Sequence, residues 1–592
     1  MFGSMFARIL QSARFHWGGL VISLIAMILI IAPLVAFPFH SGEEYRGINI
    51  NHYGTDEDYY LARAKDVLDG HGTGQPFLAE GKNLTDPTFY KVEQVLMFPA
   101  VLFGLSDTDV VTWFNVANAL GVFVLTLLVY AFAFALSKNR LLAATIAAFV
   151  IGGHTIIFFK TLFYDSFNIY GRSIFPYASS IPFFAFLLLL YQATVEKLGY
   201  LTAAGAGIFF GLLFYDYFYA WTFASALLGS FFLISLVTKN WRAVKVNVVV
   251  GLIGGLIAVP FLISFYYFFS SGEGAQIAYF LLAEHTRAFV MSILGSATLA
   301  LFGLYLWRKP EDKNNPFILA IILAGWISLE QQMLSGRSIE YGHYYWYFIV
   351  PLSIIVGVYM VAMLLPKRVR PWLATLLILT AFVNSIGGQY RSFFTTIPEK
   401  LHDQEYAQSL QILQSLPYGV VLTGHGNESF PLLVTSYTSN DLYFTPSALV
   451  FHVSPERMQE TLLTYLALNV HARKDPMPYL EQLLNATTTS PYKNLYRDIE
   501  GFMSGFDYGI YSAKAQNSDP VILEQRKELF SLLDTKYRDE IADTGTLRAK
   551  LFEDGVRYIL WDKKFYPEWD LSPLEPLEKL NENGDILLFR LP

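Results

Sequence analysis

Eleven stretches of roughly 20 apolar residues recur along this chain, and each is long enough to cross the ~30 Å hydrocarbon core of a bilayer as a helix. The first runs from about Leu20 to Phe39; the others centre near residues 123, 150, 187, 207, 228, 257, 298, 325, 355 and 379. A backbone in lipid must satisfy its own hydrogen bonds, so the expected fold is a polytopic α-helical bundle of about eleven transmembrane helices. Composition agrees: 54% of the 592 residues are hydrophobic and 15% are charged, far from ordinary globular usage. No small-residue cleavage site follows the first stretch, so it reads as a retained helix. The segment from Val92 to Leu105 is short and contains Pro99, and reads as an interfacial or half-buried helix.

Basic residues then orient the bundle. With the N-terminus in the cytoplasm, Arg8, Arg14, Lys138, Arg140, Lys197, Lys239, Arg242, Lys245, Arg308, Lys309, Lys313, Lys367, Arg368 and Arg370 fall in cytoplasmic turns, against Lys160, Arg172, Arg287 and Arg337 in the opposite short loops. That asymmetry is the positive-inside pattern. It predicts a multi-pass plasma-membrane protein with a first outer loop over residues 40–92, a membrane domain over 1–388, and an extracytoplasmic soluble domain over 389–592. The tail reads as α/β: strand-like runs at 419–424, 556–561 and 585–591 alternate with helical spacing at 455–470 and 520–535, each helix with Pro near its start. The net charge of −7 supplies no basic footprint for nucleic acid. With no cysteine in the chain, disulfides, thiolate nucleophiles and Cys-ligated metals are excluded.

Polar chemistry gathers on the outer side. The first outer loop holds GTDEDYYLAR, three consecutive acids followed by two tyrosines. If helical from Asp56, it places Asp56, Tyr60 and Arg63 on one face and Asp58 on another. A plain acidic helix start is one reading, since carboxylates suit the positive end of the helix dipole; a functional acid is the other. The remaining outer loops favour the second: they offer Tyr164, Asp165 and Arg172, then Asp216, then Glu284, His285 and Arg287, then Glu330, Arg337, Glu340 and His343. Ionisable groups near membrane depth face an interior or a wet cavity. Glu330 stands at the end of its apolar span, where pairing with Arg287 or Arg337 is the structural alternative. Arginine suits a lipid phosphate because its planar fork donates two parallel hydrogen bonds, and a carboxylate near a reacting sugar carbon can take or orient an acceptor proton.

These features resemble the GT-C superfamily of integral membrane glycosyltransferases: a first span, a large outer loop bearing an essential acid, many further spans and an outer C-terminal domain. GTDEDYYLAR is similar to that superfamily's Asp-x-x-Tyr pattern, with Asp56 as the acid and Tyr59 as the aromatic residue; a second alignment sets Asp58 at the acid. The resemblance implies a sugar transferase using a polyprenyl-phosphate-linked donor and an acceptor glycan, lipid or protein. Its expected catalytic residues are Asp56, Asp58 and Asp165. Expected at the substrate are Tyr59, Tyr60, Tyr164, Arg172, Glu284, His285, Arg287, Glu330, Arg337, Glu340 and His343. A clean Asp-x-Asp pair and the WWDYG signature of oligosaccharyltransferases are missing, so an obligatory divalent metal and transfer of an oligosaccharide to Asn are not implied. The competing classes are a transporter or flippase of lipid-linked glycans, and an assembly protein whose tail binds a partner.

Overall fold

The computed structural model describes residues 15–50, 56–104, 109–164, 176–271, 274, 284–338, 340–424, 430–487, 490–504, 519–542 and 544–592; of Asp56, Glu284, His285, Ser338 and Thr544 the backbone alone is described. Seven helices are long and apolar enough to cross a membrane: Trp17–Glu44, Val110–Ser137, Pro176–Thr194, Phe218–Val237, Trp241–Phe269, Gly342–Leu364 and Arg370–Ser415. Four shorter apolar helices, Arg140–Gly152, Tyr200–Tyr215, Ile293–Arg308 and Asn315–Leu329, lie at the remaining expected centres. A helix rises 1.5 Å per residue, so these four cover only about 20–24 Å each. The first is prolonged past Gly153 by His154–Phe159 and the last past Glu330 by Gln331–Ser335, each regaining part of the missing length. Val92–Leu102 has 11 residues with Pro99 inside; it reaches about 16 Å and does not cross.

Helices in lipid associate through close packing rather than through apolar burial from water. Small residues supply that approach here. A Cβ added at Gly207 or Gly211 would meet Ile253 at 2.8 Å or Ile257 at 2.6 Å, and one at Gly254 would meet Phe210 at 2.3 Å. Tyr200–Tyr215 therefore lies directly against Trp241–Phe269, and the Tyr215 hydroxyl donates to the Ile257 carbonyl at 2.8 Å. One end of the bundle carries the basic turns. There Lys138 pairs with Glu196, Arg242 donates to the Lys197 carbonyl at 2.6 Å, and Asp312 accepts from the Tyr305 and Tyr359 hydroxyls.

The other end carries the C-terminal domain. Arg370–Ser415 is a single helix of 46 residues, so residue 388, the expected domain boundary, falls inside it. Strands β1 (Glu284–His285) and β2 (Arg337–Ser338) form a short ribbon, and the domain holds β3 (Val420–Leu422), β4 (Asp441–Leu442), β5 (Val556–Asp562), β6 (Glu578–Asn583) and β7 (Ile586–Arg590) in a five-stranded sheet of order β4-β3-β5-β7-β6. β3 runs parallel to β4 and β5, and β7 is antiparallel to β5 and β6. Helices Pro455–Leu468 and Pro520–Lys536 start on the expected prolines. The first loop lies between bundle and domain. The Leu442 amide donates to the Phe77 carbonyl at 2.8 Å, Gln75 reaches the Ala448 and His452 carbonyls, and Gln404 of the long helix accepts from the amides of Arg46 and Ile48. On the bundle side, Phe89 packs its ring against Phe261, Phe265 and Phe268.

Candidate active site

The first-loop acids open a helix, Asp56–Leu68. Acids at its first turn favour that start electrostatically, yet they are not turned to water: Glu57 is 2% exposed and Asp58 1%. A buried carboxylate is costly unless neighbours satisfy it, so this turn is built into the interior. Further along the helix, Arg63 is fully buried and closes an ion cluster. Its Nε donates to Glu93 Oε1 at 2.6 Å and its Nη2 to Asp86 Oδ2 at 2.8 Å. Asp86 is also held by Thr73 and Thr88. Burial acts against the guanidinium's charge, but the charges of Asp86 and Glu93 outweigh it and raise the Arg63 pKa well above its ordinary value. Two carboxylates thus occupy this cation and lock the helix to the segment that follows it.

Beside that lock lies an aromatic and acidic cluster assembled from four parts of the chain. Tyr59 stacks on Phe451 of the C-terminal domain with ring centres 5.4 Å apart, and meets Tyr60 edge-on at 4.9 Å. Tyr90 packs on Tyr217 at 5.6 Å. The Tyr217 hydroxyl is hydrogen-bonded to His343 Nδ1, and His343 Nε2 lies 3.0 Å from Glu340. Tyr219 meets the His343 ring at 4.8 Å and Tyr347 packs on Tyr217. Burial pushes the phenols of Tyr90 and Tyr217 well above the ordinary tyrosine range, with the phenol of Tyr60 adding in each case; both remain neutral hydrogen-bonding groups.

Asp216 completes this cluster. It is 6% exposed, and neither carboxyl oxygen has a hydrogen-bond partner among the described residues. Burial, with the charge of Glu93 beside it, holds its carboxyl well above the usual carboxylate range. It sits in the tight turn between Tyr200–Tyr215 and Phe218–Val237, where the Lys91 amide donates to the Tyr215 carbonyl at 3.0 Å.

The structure brings Tyr59, Tyr60, Glu340 and His343 together through Tyr90, Tyr217 and Tyr219, and Asp58 precedes the two tyrosines in the buried first turn of their helix. The backbone of Asp56 begins the same helix. Asp165 and Arg172 lie outside the described residues. Tyr164 stacks on Phe159 at 3.6 Å, next to Trp346. The other sites form a separate group. Glu284 and His285 pair as a ribbon with Ser338 and Arg337. Arg287 donates to the Met333 and Leu334 carbonyls at 2.8 and 3.1 Å. Glu330 accepts from the Val290 amide at 3.2 Å and from Gln332 at 3.3 Å. Neither arginine pairs with it among the described contacts: Arg287 caps the end of a short helix, and Arg337 is exposed. Tyr90, Tyr217 and Tyr219 were not expected at the site. The aromatic density of LFYDYFYAW was the one signal for two of them.

A second polar joint ties the same helix to the domain. Lys82 bridges Asp66 and Asp441 at 2.8 Å each, in a cavity of about 270 Å³ that Asp69, His71, Tyr418 and Asn440 also line. Burial lifts the Asp66 carboxyl to about 7, Lys82 offsetting part of the effect and Asp441 and Asp69 adding to it. Among the described residues no group of three or more His, Asp or Glu side chains is placed to hold a metal ion.

No family model matches the sequence, and no curated protein matches it. Solved structures do. The chain is similar to ArnT from Cupriavidus metallidurans bound to undecaprenyl phosphate, with 14% identity over 95% of this chain and 98% of that one and a TM-score of 0.47. It is similar to the archaeal oligosaccharyltransferase AglB from Archaeoglobus fulgidus in complex with an inhibitory peptide and a dolichol-phosphate, with 11% identity, 97% and 74% covered, and a TM-score of 0.45. A third likeness is to the Archaeoglobus fulgidus oligosaccharyltransferase with zinc and sulfate, with 13% identity and a TM-score of 0.44, taking in 72% of this chain and only 62% of that one. At these values the likeness carries no argument about chemistry.

Proposed function

We propose that this chain is a GT-C-type membrane glycosyltransferase that moves a sugar from a polyprenyl-phosphate donor to an acceptor at the end of the bundle carrying the C-terminal domain, which we take to be the extracytoplasmic side. The observation that carries the reading is the burial of Glu57 and Asp58, at 2% and 1% exposure, in the first turn of a helix that Tyr59 fastens to the domain and Tyr60 to the tyrosine cluster. An acid so placed, between membrane helix ends and a soluble domain, stands where a lipid-anchored donor and a water-borne acceptor can meet.

In this reading Asp56 or Asp58 takes or orients the acceptor's hydroxyl proton as its oxygen attacks the anomeric carbon. The lipid phosphate leaves, and an outer-loop cation, for which Arg172 is the candidate, compensates its charge. The sugar rests on the phenol faces of the cluster. General-base assistance contributes about 10² to 10⁴ in rate, the remainder coming from positioning. Purified protein incubated with radiolabelled polyprenyl-phosphate sugars should release label from the lipid. A chain that leaves every such donor intact contradicts the proposal.

A further inference from the structure

Most of the aromatic and acidic cluster is buried, but one chain of hydrogen-bonding groups leads out of it. The Tyr217 hydroxyl, on a residue only 3% exposed, is hydrogen-bonded to His343 Nδ1. His343 Nε2 lies 3.0 Å from the Glu340 carboxylate, and the side-chain exposures rise to 34% for His343 and 63% for Glu340. Phenol, imidazole and carboxylate are thus ordered from interior to solvent. Each can accept a proton on one side and release one on the other. Three elements are needed to build the chain: the turn that places Tyr217, the loop that ends at Glu340, and the first turn of Gly342–Leu364.

We infer that Tyr217, His343 and Glu340 form a proton relay connecting the buried acid cluster to bulk water. The inference rests on the transferase reading, in which the acceptor hydroxyl must lose one proton per turnover. That proton passes from the acceptor to the base, and one proton enters the relay at Tyr217 Oη. The Tyr217 hydroxyl proton moves to His343 Nδ1, the proton on Nε2 moves to Glu340, and Glu340 releases it to water. One proton enters and one leaves, and rotation of the imidazole resets its tautomer. Among the described residues, the titratable groups seen to face His343 are Tyr217 and Tyr219 from one side, Glu340 from the loop, and Tyr347 from its own helix. Tyr90 and the buried Asp216 stand behind Tyr217. A purely structural bond between two helix starts would need neither the exposed carboxylate nor a titrating ring.

Tyr217→Phe and Glu340→Gln each change one link with little change in volume. Both should lower kcat about tenfold, less than the ~10² to 10⁴ expected for loss of the base itself because the base stays in place, leave the donor KM within about twofold, and displace the pH profile of kcat. His343→Ala should lose more, and added imidazole should restore at least part of its rate. The titration of His343, followed by nitrogen NMR of labelled histidine and assigned by its loss in His343→Ala, should shift in both of the other variants. The titration does not depend on the transferase reading. A wild-type chain that transfers no sugar overturns that reading, whereas a His343 midpoint unmoved in both variants overturns the relay. Unchanged pH profiles, or an imidazole-insensitive His343→Ala, overturn it equally.

Discussion

Two buried ionisable residues, Asp58 and Arg63, lie on one helix, five residues apart, and they stand in different surroundings. At Arg63 every strong donor is engaged: Asp86 and Glu93 take the guanidinium, and Thr73 and Thr88 take the free lone pairs of Asp86. Asp58 is followed on the helix by the edge-on phenols of Tyr59 and Tyr60, and elsewhere in that cluster Asp216 has no hydrogen-bond partner among the described residues. A saturated ion cluster has no bonding capacity left for a substrate and serves to fix geometry. A buried carboxyl such as Asp216, without a hydrogen-bond partner among the described residues, keeps that capacity. The contrast separates scaffold from candidate chemistry within a single element.

The largest effect expected is at the scaffold. Arg63→Met leaves two buried carboxylates without their cation, and breaking a buried pair costs about 3–5 kcal/mol. Thermal unfolding in detergent should show a severely destabilised protein, with activity lost in proportion to folded protein. A stable, inactive variant would move Arg63 from scaffold to chemistry.

A smaller effect is expected at the joint between the helix and the domain. The Asp66 carboxyl is raised from its ordinary value to about 7, so the folded state holds a proton that the unfolded chain releases. The stability contributed is full below the unfolded pKa near 4 and is lost as pH rises through about 7. The wild-type melting temperature should therefore fall between pH 6 and 8. Asp66→Asn should flatten that dependence, and an unchanged slope would contradict the assignment.

The smallest effect at neutral pH is expected at Asp216. Burial and the charge of Glu93 raise its carboxyl well above the usual carboxylate range, which favours the neutral form that Asp216→Asn mimics. Stability at pH 7 should hold nearly constant, and at alkaline pH the variant should exceed wild type, because the contribution of a raised acid is lost as pH rises. A marked loss at pH 7 would show that the carboxylate is charged in the fold.

The membrane helices were legible in the sequence because a bilayer imposes length and polarity together, and each centre predicted from apolar runs holds a helix. Strands β3, β5 and β7 were legible for a related reason, as short apolar runs beside turn residues. β6 was not: EKLNEN is charged and exposed because it forms the sheet's edge, where pairing rather than burial defines the strand. The long helix hid the boundary near residue 388, since a helix can leave a membrane without a break in its hydrogen bonds.

The candidate site was legible only as a set of residue types. Tyr60 and His343 carried visible chemistry, but their meeting depends on Tyr90 and Tyr217, which pack on each other across more than a hundred residues of chain. For Glu330, pairing with Arg287 or Arg337 stood as the structural alternative to a functional role, because pairing is the usual solution for charges near lipid. The fold gives Glu330 and Arg287 backbone partners instead.

The most direct test of the central claim compares Asp58→Asn, Asp56→Asn and wild type in purified form for transfer from radiolabelled polyprenyl-phosphate sugars, with thermal unfolding followed in parallel. One of the two substitutions should lower transfer by about 10² to 10⁴ at an unchanged melting temperature. Full transfer by both, from proteins as stable as wild type, would contradict the assignment of catalysis to this helix.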